Sequence, residues 1–221
     1  MSMWDSVADY YKSSQWLYRL FIYNKDTLGM HFGFWDVHTK NRQQAILNEN
    51  DEIIRLAGIK KGMVVLDAGC TQDFGKTNFA NDYFDVIFGI ESLCYASPKT
   101  NILKELHRIL KPGGILIIAD GYLKGKSNMN LFQKDIEDFK SAFALKEFVT
   151  GGEMVASLKK AGFSAIQSNS YLNRVKTVLY WLVKLGGSFF RPIYANSLAL
   201  ELACKGASQG FMDYLVIKAV K

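Results

Sequence analysis

The sequence predicts an α/β protein built around an open, mostly parallel β-sheet. Two continuous apolar runs, residues 63–69 and 83–93, have the composition expected of strands buried on both faces of such a sheet. A helical pattern over residues 99–110 separates the second run from a third, residues 114–123. Alternation of strand and helix along the chain is typical of an open α/β sheet, and it defines the predicted fold class.

The remaining elements extend this pattern towards both ends of the chain. Residues 1–24 predict an aromatic-rich helix, and residues 40–59 predict a polar helix that ends near Gly58. Two further helices are expected over residues 131–143 and 150–162, and two closing strands over residues 164–172 and 210–221. No internal repeat or linker interrupts the pattern.

These elements predict a single domain of 221 residues. Its expected parts are an N-terminal helical cap over residues 1–58, a sheet core over residues 63–123 and 164–221, and helices or a lid over residues 124–163 and 173–209.

Composition excludes several classes of function. The net charge is +6, but the lysines are scattered and form no run, which argues against nucleic acid as a partner. Three widely spaced cysteines suit neither a disulfide framework nor a metal site, so a reduced, cytoplasmic location without a bound metal is expected. The polar start of the chain does not resemble a secretory signal.

The longest apolar segment, residues 175–190, is too short and too charged to span a bilayer, because Lys176, Lys184 and a Gly-Gly pair interrupt it. A helix packed over a pocket or against a lipid surface is expected there. A peripheral contact with a membrane is therefore compatible with the sequence.

Residues 64–77, VVLDAGCTQDFGKT, combine parts of two nucleotide-binding patterns. The segment ends in Gly-Lys-Thr, but a phosphate-binding loop requires four residues between its first glycine and this tripeptide. Here five residues separate Gly69 from Gly75, and Phe74 occupies the position of the second glycine. The tripeptide is therefore interpreted as a surface turn.

The other half of this stretch belongs to a more specific pattern. A strand ending in Asp-Ala-Gly-Cys, a later strand opening Phe-Asp-Val-Ile and the sequence ELHRILKPGGILIIAD together resemble the class I S-adenosylmethionine-dependent methyltransferases. The segments YYKSSQWLYRLF and MHFGFWD resemble the N-terminal cap of the branch that methylates sterols, tocopherols, phosphoethanolamine and glycine derivatives. The C-terminal sequence GASQGFMDYLVIKAVK resembles the closing strand of that branch.

The sequence departs from the family between its first two strands. The family reads Asp-x-Gly-x-Gly-x-Gly after the first strand, whereas Thr71 follows Cys70 here and the later glycines are absent. Only thirteen residues, 71–83, separate Cys70 from Phe84. In the family this interval holds the second strand with its ribose-binding acid, the third strand and their helices, so about two βα units are missing.

The predicted fold is therefore a Rossmann-like methyltransferase sheet of about five strands with a helical, aromatic cap. Thirteen residues suffice for a parallel crossover only without a regular helix. Loss of two strands places the first strand at an edge of the sheet, which exposes its backbone to another chain. A homo-oligomer is compatible with this arrangement, and Asp73 and Asp82 are the acids available to replace the missing one.

The resemblance implies a cofactor site at the ends of two strands. The implied cofactor-binding residues are Asp67, Ala68, Gly69, Cys70, Gly89, Ile90, Glu91 and Ser92. Asp67 corresponds to the acid near the methionine end of the cofactor, with a plain strand-terminal turn as the alternative. The segment that begins at Gly89 corresponds to the floor beneath the reactive sulfonium.

Three further residues are implied in catalysis: Tyr95, His31 and Tyr11. Tyr95 stands where several relatives carry a proton-removing histidine, and a tyrosine there suits an orienting hydroxyl or a pocket wall better than a base. His31 and Tyr11 belong to the cap segments that close over the cofactor in the family, with a structural role as the alternative for the histidine. Cys94 is expected to be a buried filler without an activating base.

The predicted function is methyl transfer from S-adenosylmethionine to a small or lipid-like acceptor, with S-adenosylhomocysteine as the product. The mechanism would be a direct displacement in which the protein aligns the reactants and excludes water. The alternative is a non-catalytic remnant of the fold that binds a partner or an apolar ligand through its cap and exposed sheet edge.

Overall fold

The structure is a computed structural model of the full chain. It describes residues 31–69, 76–125, 130–175 and 195–221, together with Lys12 and Gly29. The predicted N-terminal helix over residues 1–24 and the apolar segment over residues 175–190 lie almost entirely outside the described residues. The division into cap, core and lid therefore stays a prediction.

The described residues include five helices and five strands whose bounds are defined. In chain order these are α1 (Arg42–Ala57), β1 (Val65–Asp67), β2 (Phe84–Ile90), α2 (Lys99–Ile109), β3 (Leu110–Leu123), α3 (Gln133–Ala142), α4 (Gly151–Lys160), β4 (Ser164–Ser170), α5 (Ala195–Gln209) and β5 (Met212–Val220), with a short 3₁₀ helix, Leu93–Tyr95, after β2. The α/β pattern read from the sequence is confirmed.

All five strands belong to one sheet, in the order β1-β2-β3-β5-β4. β1, β2 and β3 are parallel, and β5 inserts antiparallel between β3 and β4. Because β1, β2 and β3 run in the same direction, their carboxyl ends lie along one edge of the sheet. We call this line the carboxyl edge, and ligands of open α/β sheets bind there.

β1 lies at the end of the sheet, as the shortened connection predicted. The expectation that it is buried on both faces is wrong: Val65 and Leu66 are half-buried, and Met63 and Val64 remain 39% and 37% exposed. The physical reason is that no strand covers its outer side among the described residues. Its inner side is well paired, since the Val64 N–H donates to Asp85 Oδ2 at 2.8 Å and Asp85 N–H donates to the Val64 carbonyl at 2.9 Å.

Alternating side chains of the central strands divide the core into two clusters. One face of β3 presents Ile117, Ala119 and Leu123 to a cluster that includes residues of α1, α3 and α5. The other face presents Leu116, Ile118 and Tyr122 to a cluster that includes residues of α2 and α4. The molecule is therefore a three-layer α/β/α sandwich with β3 at its centre.

The connection between β1 and β2 is held against α2 by charged side chains. The Thr77 N–H and hydroxyl both donate to Glu105 Oε1, at 2.9 and 2.6 Å. Arg108 donates to the Phe79 carbonyl at 2.9 Å and to Asn81 Oδ1 at 2.6 Å. Residues 76–83 contain no helix, as predicted, so these hydrogen bonds do the anchoring that a crossover helix does in a longer connection.

The boundary between α2 and β3 differs from the sequence-based expectation. α2 ends at Ile109 rather than at Leu110, and β3 begins at Leu110 rather than at Gly114. The reason is that the Lys-Pro-Gly-Gly segment already pairs with the sheet: Leu110 is in register with Phe84, and Gly113 N–H donates to the Lys221 carbonyl at 3.0 Å.

Candidate active site

The turn after β1 packs directly against the turn after β2 at the carboxyl edge. Gly69 N–H donates to Asp67 Oδ1 at 2.8 Å, which closes a tight turn, and the Ala68 N–H donates to the Phe88 carbonyl at 2.7 Å. A Cβ added to Gly69 would lie 3.7 Å from the Ser92 Cβ. The structure therefore brings together two groups of residues that the sequence predicted to bind one cofactor.

Gly89 allows this close approach. A Cβ at this position would lie 2.2 Å from Leu93 Cδ1 and 2.9 Å from Ser92 Oγ, so any larger side chain would displace the turn. Ser92 Oγ is buried and has no hydrogen-bond partner among the described residues. A buried polar atom without a partner requires an explanation, and a ligand at this edge supplies one.

Glu91 links the carboxyl edge to the segment that precedes α1. Its backbone adopts a left-handed conformation with φ of +48°, which is uncommon outside glycine. Its side chain accepts the Phe32 N–H at 3.0 Å and contacts the Tyr214 hydroxyl at 3.2 Å. Burial, together with the nearby Glu49 and Asp120 carboxyls, raises the pKa of Glu91 well above its usual range.

His31 lies in the same network. Its Nδ1 is 2.6 Å from Glu49 Oε2, and the imidazole is 11% exposed. The Glu49 carboxyl is completely buried and also receives the Gly33 N–H at 3.1 Å and the Tyr214 hydroxyl at 2.9 Å. A structural role for His31 and a role in orienting a reactant are both compatible with this geometry, so its predicted catalytic role stays a prediction.

Tyr95 ends the short 3₁₀ helix that follows Ser92, and its N–H donates to the Ser92 carbonyl at 3.3 Å. Its ring packs against the apolar cluster on the α1 side of the sheet. Tyr95 therefore follows the carboxyl-edge turn directly, as predicted, and its catalytic role stays a prediction.

Buried polar groups fix this 3₁₀ helix in place. The Lys99 ammonium donates to the carbonyls of Leu93, Cys94 and Ala96 at 3.1, 2.8 and 2.7 Å. Asp120 at the end of β3 accepts the Cys94 N–H at 2.8 Å. Burial raises the pKa of the Cys94 thiol well above its usual range, which fits a filler and not a nucleophile.

Two predicted site residues, Tyr11 and Cys70, lie outside the described residues. Asp73, one of the two acids proposed to replace the missing ribose-binding acid, lies outside them as well. The other, Asp82, lies within the described residues, and its position excludes it as the ribose-binding acid. It precedes β2 and pairs with Lys221 Nζ at 2.6 Å, at the end of the sheet opposite the carboxyl edge.

The described residues fit one half of the predicted cofactor. Asp67, Gly69, Gly89 and Ser92 lie close together at the place where the resemblance predicts the methionine end of the cofactor, and the Ser92 hydroxyl has no partner among the described residues. Among the described residues, the sheet has no counterpart of the family's second strand with its ribose-binding acid. This part of the chain therefore offers no site for the adenosine half of the cofactor. Asp73, which lies outside the described residues, stays the remaining predicted substitute.

Lys76 and Thr77 are the described residues of the Gly-Lys-Thr tripeptide, and their contacts do not form a phosphate-binding loop. Thr77 is engaged by Glu105 through both its N–H and its hydroxyl, and Lys76 is exposed. Its interpretation as a surface turn agrees with this geometry.

Sequence reasoning missed three residues of the site region: Glu49, Lys99 and Tyr214. Glu49 lies in a helix that also carries the exposed Asp51 and Arg55, and Lys99 opens a helix where lysine is ordinarily solvated. The burial of these side chains depends on partners that are distant in sequence. The Tyr214 hydroxyl, for example, hydrogen-bonds to Glu49, which is 165 positions away.

Comparisons with known proteins agree with the fold and the motifs. Residues 41–118 match a family model described as a methyltransferase domain. The sterol 24-C-methyltransferase erg6 of Aspergillus fumigatus is 23% identical over 197 residues, which cover 66% of this chain and 51% of that protein. The chain spans about half, or less, of the length of the curated relatives it matches.

Solved structures share the architecture at low identity. The [4+2]-cyclase SpnF superposes with a TM-score of 0.72 at 16% identity, over 98% of this chain and 97% of that chain. The geranyl diphosphate C-methyltransferase of Streptomyces coelicolor A3(2), solved with S-adenosyl-L-homocysteine, has a TM-score of 0.70 at 12% identity, over 94% of this chain and 97% of that chain. At these identities the likeness shows the fold alone.

Residues 41–118 are similar in sequence to methyltransferase domains, and the fold is similar to that of S-adenosylmethionine-dependent methyltransferases of small molecules, as the motifs predicted. These relatives support the predicted cofactor, and they do not favour a non-catalytic remnant. None of the described helices has the length and apolar character that crossing a membrane requires.

Proposed function

We propose that this protein transfers a methyl group from S-adenosylmethionine to a small, lipid-like acceptor. The observation that carries the proposal is the contact between the Asp67–Gly69 turn and the Ser92 turn at the carboxyl edge, with a buried hydroxyl that lacks a partner among the described residues. Sterol and prenyl methylation by the relatives supports an apolar acceptor. The fold alone does not, because one neighbour is a cyclase.

The residues of this chain would act mainly by position. S-adenosylmethionine supplies the methyl group as a sulfonium electrophile. Asp67 and Ser92 would hold the methionine end, and the glycines at positions 69 and 89 would let the backbone approach it. Tyr95 would orient the acceptor from the adjacent 3₁₀ helix, while the aromatic side chains of the α1-side cluster would exclude water.

The direct test is methyl transfer from radiolabelled S-adenosylmethionine to a panel of sterols, prenyl diphosphates and amines. We expect label in an apolar product, and we expect Tyr95→Phe to lower kcat/KM by about tenfold if its hydroxyl orients the acceptor. Tyr83→Phe is the matched control, because Tyr83 is 49% exposed and precedes β2 at the opposite end of the sheet. Absence of labelled product across the panel, from protein that binds the cofactor, would contradict the proposal.

A further inference from the structure

Four side chains form a continuous buried chain of hydrogen bonds behind the carboxyl edge. Glu91 Oε1 contacts the Tyr214 hydroxyl at 3.2 Å, and the same hydroxyl contacts Glu49 Oε1 at 2.9 Å. Glu49 Oε2 then lies 2.6 Å from His31 Nδ1. These residues come from four separate parts of the chain: the turn after β2, β5, α1 and the segment before α1.

The geometry at Tyr214 requires a shared proton. A tyrosine hydroxyl carries one hydrogen, so it can donate to only one of the two carboxyl groups that it contacts. If both carboxyls were ionised, one would face the lone pairs of the hydroxyl oxygen inside the core. The second contact is therefore a hydrogen bond only if that carboxyl is protonated and donates to Tyr214.

The surroundings decide which carboxyl holds the proton. Glu49 accepts hydrogen bonds from the Gly33 N–H and the Tyr214 hydroxyl and lies 2.6 Å from His31 Nδ1, so its carboxyl has several polar neighbours in the core. Glu91 receives only the Phe32 N–H besides the tyrosine contact. Burial first, then the Glu49 and Asp120 carboxyls, raise the pKa of Glu91, while the Phe32 N–H and Tyr214 lower it.

We propose that Glu49 is a positioning residue of the candidate active site, whose buried carboxylate orders the Tyr214 hydroxyl and whose negative charge keeps Glu91 protonated at the carboxyl edge. Glu91 then stands beside Ser92 as a neutral hydrogen-bond donor and not as a carboxylate. The groups that face it are Glu49 from α1, Asp120 from β3, Tyr214 from β5 and the Phe32 N–H.

The inference deepens the proposed function and rests on it for its meaning, because a neutral Glu91 matters at this edge only if the cofactor binds there. A carboxylate beside a sulfonium would bind it by charge in the ground state. A neutral acid instead fixes the segment before α1 to the turn that carries Ser92, since Phe32 and Tyr214 both bond to Glu91.

The test is a pH titration of Glu91 in the unliganded protein. NMR of glutamates labelled with ¹³C at the side-chain carboxyl monitors this titration. The resonance of Glu91 is assigned by its loss in Glu91→Gln. In the wild-type protein we expect it to remain protonated at pH 7. In Glu49→Gln we expect its proton affinity to fall about tenfold, because one of the two nearby charges is removed.

Two further variants separate electrostatics from packing. Tyr214→Phe removes the bridging hydroxyl but leaves burial and the Glu49 charge, so Glu91 should stay protonated at pH 7. Glu137→Gln makes the same chemical change as Glu49→Gln at an exposed position of α3 and should leave the titration unchanged. If Glu49→Gln does not fold, the wild-type and Tyr214→Phe titrations still decide the protonation of Glu91.

An ordinary carboxylate titration of Glu91 in the wild-type protein would overturn the inference, as would a folded Glu49→Gln protein in which the titration does not move. Neither result depends on the cofactor. A failure to bind S-adenosylhomocysteine would therefore count against the proposed function and would be distinguishable from a failure of this inference.

Discussion

Two tyrosines on neighbouring strands are buried alike but differ in what their hydroxyls meet. Tyr122 in β3 and Tyr214 in β5 are 2% and 4% exposed. The Tyr122 hydroxyl has no hydrogen-bond partner among the described residues, whereas the Tyr214 hydroxyl bridges Glu49 and Glu91. The same substitution to phenylalanine should therefore have opposite effects at the two positions.

We expect Tyr122→Phe to raise the free energy of unfolding by about 1 kcal/mol, because it removes an unsatisfied buried group. Tyr214→Phe should lower it by about 1–3 kcal/mol, because two buried carboxyls lose their shared partner. Urea unfolding of both variants against wild type measures the difference. A destabilised Tyr122→Phe protein would show that its hydroxyl has a partner.

At the scale of elements, the connection between β1 and β2 determines whether the shortened sheet holds together. Thr77 and α2 are joined through Glu105, and the Arg108 guanidinium beside it lowers the pKa of Glu105 to about 2. Glu105→Gln should loosen residues 76–83 without unfolding the sheet, because its partners lie in the connection. Amide exchange at Thr77 should accelerate by about tenfold or more, as expected for loss of a hydrogen bond to a charged group.

Glu137→Gln is the matched control for this prediction. Glu137 also pairs with a basic residue three positions along its helix, at 3.0 Å from Lys140 Nζ, but this pair is on the surface. The Glu137→Gln substitution should therefore leave amide exchange at Thr77 unchanged. Equal exchange rates in wild type and Glu105→Gln would show that the connection is held by other contacts.

The elements themselves were largely predictable, and the burial of particular residues was not. The continuous apolar runs of β2 and β3 locate the centre of the sheet because only strands covered on both faces tolerate them. The half-burial of β1 could not be predicted from residues 63–69 alone, because it follows from the short connection after them, which places β1 at the edge of the sheet. Likewise Glu49 in α1 reads as a surface residue until His31 and Tyr214 are placed around it.

At the scale of the whole molecule, buried acids set the dependence of stability on pH. Burial raises the pKa of Asp120 to about 6, from 3.8 for an unburied aspartate. Between these two values the folded protein binds a proton that the unfolded chain has released. The stability that Asp120 contributes is therefore full below about pH 4 and is lost as the pH rises to about 6, by about 3 kcal/mol.

Asp120→Asn should remove this part of the slope, since an asparagine does not titrate. The measurement is the free energy of unfolding at several pH values between 4 and 6, with Asp51→Asn at an exposed position of α1 as the control. Glu91, whose pKa is also raised, contributes in the same direction and remains in both variants. Identical slopes in wild type and Asp120→Asn would contradict the assignment.

The central claim is that a methyltransferase site persists at the carboxyl edge although about two βα units are missing beside it. Calorimetric titration of S-adenosylhomocysteine into the folded 221-residue protein tests it most directly. We predict binding in the micromolar range. Ser92→Ala should weaken it about three- to tenfold, because alanine lacks the hydroxyl that would hydrogen-bond to the ligand. No heat of binding from protein shown to be folded, at concentrations that saturate related enzymes, would contradict the claim.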